Sequence, residues 1–253
     1  MAETQHPSRM IEKIVINQQF CGPPGSGNGG YVCGRMAHYI EGPATIRLMK
    51  PPPLDTPLDV SATENEIQLV HEQELVARAW AGGPEIEIPP APDLEDARHR
   101  TSLFAGHSYH AFPGCFVCGT ERSKGDGLLI YPGPPQNASE MPPSVTNHVA
   151  CTWVAHEAFC GPDGKVLPEF CWATLDCPSG WSFLSSGEEV ALLGEFSAEI
   201  QADLECGQEY MVAGWEIARK GRKRLTGSAI YDTAGTPLAW ASATWITIDL
   251  PAS

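Results

Sequence analysis

The chain is poor in positive charge. Only 16 Lys and Arg stand against 31 Asp and Glu in 253 residues, a formal net charge of −15. A general nucleic-acid binder carries a basic footprint for phosphates, so that class is excluded. No apolar run approaches the length of a bilayer span, so no membrane partner is expected. The opening Met1-Ala2-Glu3-Thr4-Gln5-His6 lacks the charged-then-apolar pattern of an export signal, and a cytoplasmic location is expected. Nine cysteines is an odd count for such a chain. It points to reduced, buried or metal-bound thiols rather than a disulfide framework, and it makes the Asn137-Ala138-Ser139 sequon incidental. What the chain does have is core material. An apolar content of 42% excludes wholesale disorder, and the length suits one large domain or two ordinary ones.

Alternating apolar and polar residues mark most of the chain as half-buried antiparallel strands. A first strand is expected over Met10–Phe20. The glycine-rich turn Cys21–Gly30 and a short helix over Tyr31–Ile40 follow. Four strands come next: Ala44–Lys50, Leu58–Thr63, Glu66–Gln73 and Glu74–Trp80. From Gly82 to about Pro143 prolines and charge accumulate, and the pattern predicts a long connection with little regular structure, some of it packed on the surface. The second half then repeats the order of the first. A strand over Asn147–Val154 leads to a helix after Lys165. Four more strands are expected over Glu189–Ile200, Glu209–Ile217, Arg224–Asp232 and Pro237–Ile246. The division is therefore an N-terminal unit over 1–88, a connection over 89–145 and a C-terminal unit over 146–253.

The second helix is unusual. From Phe170 to Cys177 it is apolar or small with no polar stripe, so it is buried on every side. One carboxylate, Asp176, sits inside it. A lone buried Asp is costly unless partners meet it, and it serves either as a local cap or as a functional group. Pro178 is expected to end or kink the helix just past it. In the first half, glycines leading into a helix leave backbone N–H groups free at its positive end, a site for an anion or oxyanion. The ordinary alternative is a plain strand-to-helix turn.

Two repeats of a strand, a buried helix and a wrapping antiparallel sheet resemble the α+β hotdog fold in its double form. Residues sharpen the likeness. Ala173-Thr174-Leu175-Asp176 resembles the central-helix segment of the PaaI-like acyl-CoA thioesterases, where such a run carries the catalytic carboxylate. Asn28-Gly29-Gly30-Tyr31 resembles their His-Gly-Gly segment, with Asn28 in place of His. Cys115-Phe116-Val117-Cys118-Gly119 with Gly127-Leu128 is similar to a signature that precedes the domain in many such proteins, and Ser228–Asp232 with Thr244–Ile246 is similar to the last strands. In those enzymes one helix carries both the glycines and, seven residues after the second, the Asp. Here that position after Gly30 is Ala37, and the position seven before Asp176 is Glu169. Each half keeps what the other lost, so the resemblance implies one composite site and one dead one. It implies an acyl-CoA thioesterase-like hydrolase, with Asp176 as general base or nucleophile and the Gly29 and Gly30 backbone as oxyanion hole. It further implies substrate contacts from Asn28 and Tyr31, no cofactor beyond the CoA of the substrate, and a homodimer paired through the sheets. The alternatives are a non-catalytic acyl-CoA binder and a hotdog dehydratase using His156 with Asp176.

Arg219-Lys220-Gly221-Arg222-Lys223-Arg224 is the one dense basic run. It reads either as a solvated hairpin turn or as a grip on CoA phosphates through Arg222, Lys223 and Arg224. Cys115-x-x-Cys118 lacks a second pair at similar spacing, so packing or a turn ranks before a metal and no metal ligands are expected. Tryptophans 153, 172, 181, 215, 240 and 245 are expected in the core, with one or two on an acyl pocket.

Overall fold

The computed structural model describes residues 9–135, 146–184 and 189–248; the sequon at Asn137 lies outside them. The first half contributes β1 (Arg9–Val15), α1 (Gly29–Ala37), β2 (Ala44–Leu48), β3 (Pro57–Ala62), β4 (Ile67–His71) and β5 (Glu74–Ala81). The connection holds α2 (Leu94–Thr101). The second half contributes β6 (Thr146–Val154), α3 (Pro168–Leu184), β7 (Val190–Ile200), β8 (Glu209–Lys220), β9 (Lys223–Tyr231) and β10 (Pro237–Ile248). The strands form one antiparallel sheet in the order β1-β3-β4-β5-β2-β7-β10-β9-β8-β6. Read outward from its centre, this order is the same for both halves. β2 and β7, each the first strand after its helix, meet at a pseudo-twofold seam.

That seam matches residue for residue. Ala44 faces Ala198, Thr45 faces Ser197, Ile46 faces Phe196 and Arg47 faces Glu195. The two hydroxyls hydrogen-bond each other, and Arg47 Nε donates to Glu195 at 2.7 Å. Ile46 and Phe196 are fully buried, and Phe196 meets Trp172 of α3 edge-on, with ring centroids 5.6 Å apart.

The two central helices lie antiparallel and very close. A Cβ on Gly30 would sit 2.5 Å from the Asp176 Cβ, and one on Gly34 would sit 2.6 Å from the Glu169 Cα. Gly30 and Gly34 are four apart and share a face of α1, so the pair clears a groove for α3. In β10, Ala239, Ala241 and Ala243 are buried, and α3 packs against that strand as small side chains allow.

Several expectations are corrected. The first strand stops at Val15, because Asn17 accepts a hydrogen bond from the Gln19 N–H (2.9 Å) and starts a short turn of helix over Gln18–Phe20. α1 begins at Gly29, capped by the Asn28 side chain. Pro178 does not end α3, which continues to Leu184. Proline removes the hydrogen bond to the Thr174 carbonyl four residues back; beside it, the Leu175 carbonyl accepts from Ser228 of β9 (2.6 Å) and the Asp176 carbonyl from Ser179 (2.8 Å). Part of the connection also enters the core. Phe104, Phe116, Val117, Leu128 and Ile130 are buried in the main core, and Phe116 packs among Phe20, Phe159 and Phe170. Within it, Asp93 caps α2 by accepting from the Glu95 and Asp96 N–H groups, and Arg100 anchors α2 to His148 of β6 at 3.0 Å. One disulfide is present, Cys160–Cys206, joining two neighbouring loops 46 residues apart in sequence. The other seven cysteines are free and buried.

Candidate active site

Asp176 lies where α1 and α3 touch, and is 2% exposed. Its Oδ2 accepts two hydrogen bonds from the other half of the chain: Asn28 Nδ2 and the Gly30 backbone N–H, each at 2.9 Å. Its Oδ1 is buried without a partner among the described residues. Gly30 explains how a backbone N–H reaches a side chain on another helix, since any Cβ would hold α3 away. Asn28 does two jobs. Its Oδ1 accepts from the Tyr31 N–H (2.9 Å) and caps α1, while its amide N–H reaches Asp176. Burial pushes the Asp176 carboxyl up to about 7, against the pull of the Gly30 and Asn28 donors.

Asp176 and Asn28 line a cavity of about 440 Å³. Its walls are mostly apolar, with Leu48, Phe112, Trp181, Leu193, Trp245 and Ile246 among them. Gly29 also lines it, at the first position of α1, and its N–H has no partner among the described residues. Gly30 is not on the wall, and its N–H is taken by Asp176.

Other expected site residues lie elsewhere. Tyr31 turns into the core, stacked on Phe20 at 4.2 Å and bonded through its hydroxyl to Arg35, because the turn that caps α1 aims it away from the cavity. Arg222 and Lys223 are exposed at the β8–β9 hairpin and do not line the cavity. Arg224 is buried and neutralised by Glu189 and Glu216, with its guanidinium over the Phe183 ring. The basic side chain on the cavity wall is instead Lys50, paired with Glu74 at 2.6 Å. His156 caps the turn Glu157–Phe159 by accepting from the Ala158 N–H (3.2 Å), and it is absent from the cavity wall. The histidine there is His110, whose Nδ1 accepts from the Phe112 N–H and whose Nε2 meets the Cys118 carbonyl, both at 3.1 Å. Cys115, Cys118 and Cys177 also line the wall. Sequence reasoning weighed the Cys115 pair without Cys177, whose position beside Asp176 was the available signal.

No protein-family model and no curated protein sequence matches the chain. Solved structures do. The TesB protein of Mycobacterium avium subspecies paratuberculosis superposes with a TM-score of 0.58 at 11% identity, over 94% of this chain and 92% of that one. An acyl-CoA thioesterase II, TesB2 from Mycobacterium marinum, gives 0.58 at 11% identity over 96% of both chains. The fold is a double hotdog. The match runs nearly end to end in both structures. At this identity the likeness is one of architecture. Among the described residues, no helix is long and apolar enough to cross a membrane.

Proposed function

We propose that the double hotdog hydrolyses acyl thioesters, with acyl-CoA as the substrate class and Asp176 as general base or nucleophile. One observation carries the reading: a buried carboxylate on α3 is held by Asn28 and Gly30 of the opposite half, on the wall of a largely apolar cavity. Such a cavity suits an acyl chain, and the held carboxylate suits attack on a thioester carbonyl or on a water beside it. The unpartnered N–H of Gly29 at the positive end of α1 is the donor available to a developing oxyanion. The Gly30 N–H contributes by orienting Asp176, unlike the direct oxyanion role that the resemblance implies. Lys50 is the lysine on the cavity wall, and a grip on CoA phosphates there would exchange its partner Glu74 for them.

A second reading, a non-catalytic acyl-CoA binder, is favoured by one feature: the Asn28 amide and the Gly30 N–H, two of the donors at this end of α1, are spent on Asp176. Chromatographic detection of free CoA, beside calorimetric binding of the same acyl-CoA panel, separates the two. Hydrolysis prevents nothing in the first reading and is required by it; binding of CoA esters with no CoA release above background gives the second.

A further inference from the structure

Three sulfur atoms on the cavity wall have no part in the proposed hydrolysis. Cys115 and Cys118 of the connection and Cys177 of α3 hold their Sγ atoms within 4.8 Å of one another, all buried. Cys115 and Cys177 Sγ are 3.8 Å apart. That is the edge of a tetrahedron whose sulfurs lie about 2.3 Å from a central zinc, roughly 3.8 Å. Plain packing of thiols would give a similar spacing, so the surroundings decide. Asn28 Nδ2 approaches Cys115 Sγ at 4.0 Å, and the Cys118 carbonyl in the same turn is held by His110 Nε2 at 3.1 Å. Three soft donors from two separate segments converge on one point of the cavity wall, the ligand type and spacing that a zinc ion takes. Deprotonated side by side, the three sulfurs need a cation among them. Of the basic residues on the wall, Lys50 is paired with Glu74, and both His110 nitrogens are engaged.

We infer that Cys115, Cys118 and Cys177 form a binding site for a thiophilic divalent cation, zinc, with three thiolate ligands. The pair Cys115-x-x-Cys118 supplies two ligands from one turn, and the third arrives from a helix 62 residues beyond Cys115. This is why a search for a second pair at short spacing misses it. His110 buttresses the turn through the Cys118 carbonyl, the kind of outer contact that orients ligands. No fourth His, Cys, Asp or Glu joins the cluster among the described residues, so a small donor such as water from the cavity completes the tetrahedron. The ion ties the connection to α3 one residue from Asp176. The site stands whether or not the cavity hydrolyses thioesters.

The test uses the full-length, reduced protein, stripped with a chelator and titrated with Zn²⁺ and separately with Co²⁺. About one equivalent of tightly held zinc is expected. Cobalt is expected to give thiolate charge-transfer absorption and the intense visible bands of a tetrahedral site. Cys118→Ser and Cys177→Ser lose stoichiometric binding, while Cys151→Ser, a buried cysteine outside the cluster, retains it. Should the cluster variants fail to fold, protection of three thiols from alkylation by zinc in the wild type gives the same answer. Folded wild type that takes up neither ion, or Cys177→Ser binding as tightly as wild type, overturns the proposal.

Discussion

Asp176 and His148 show how one interior treats two ionisable groups differently. Asp176 is given two donors from another part of the chain, so its charge can be used. His148 is given a cation. Arg100 has no lone pair to offer, so His148 Nδ1 must accept from it, which fixes the ring as neutral. Burial, and next the Arg100 guanidinium, hold His148 down at about 4 from its ordinary 6.5, with Asp96 opposing. The sign follows from linkage. Between these values the unfolded chain binds a proton that the folded chain refuses, so stability falls as pH drops from about 6.5 toward 4, by up to about 3 kcal/mol. Urea unfolding across that window should show the loss, and His148→Gln should flatten it; a slope unchanged by the substitution would assign the acid sensitivity elsewhere.

At the scale of elements, the contact between α1 and α3 builds the site. Glycines at 30 and 34 let the helices meet, and capping by Asn28 sets where α1 begins. Gly34→Ala places a methyl 2.6 Å from the Glu169 Cα, a backbone atom that cannot swing aside. It should cost about 3 kcal/mol in denaturant unfolding, and a loss within a few tenths would mean the helices separate easily. Much at this scale was legible in sequence. Period-two alternation located the strands, and an all-apolar run holding one carboxylate singled out α3. Pairings between distant residues were legible only through the resemblance, which joined Gly29 and Gly30 to Asp176 in one composite site. Nothing local tells that Asn28 reaches Asp176, that Cys177 faces Cys115, or that Phe116 fills a core, because each depends on the packing of the whole chain. Charge density at Arg222 and Lys223 marked exposure without marking distance from the cavity. Pro178 misled because α3, buried on every side, runs on past it to Leu184.

At the scale of the molecule, one sheet joins both halves through β2 and β7, and the pseudo-twofold offers two equivalent helix contacts. Only one is equipped. The contact holding Asn28, Gly30 and Asp176 has donors and an acid; its counterpart has Glu169 and Ala37 at the corresponding positions. Under the proposed function, neither half contains a complete site. The most direct test of that reading is steady-state hydrolysis of an acyl-CoA panel by wild type and Asp176→Asn, a substitution that keeps the shape of the side chain. The account predicts that kcat/KM falls by about 10²- to 10⁴-fold for every ester the wild type hydrolyses. Hydrolysis by Asp176→Asn within about twofold of wild type would contradict it, since rate changes that small lie below what a positioned acid or base contributes.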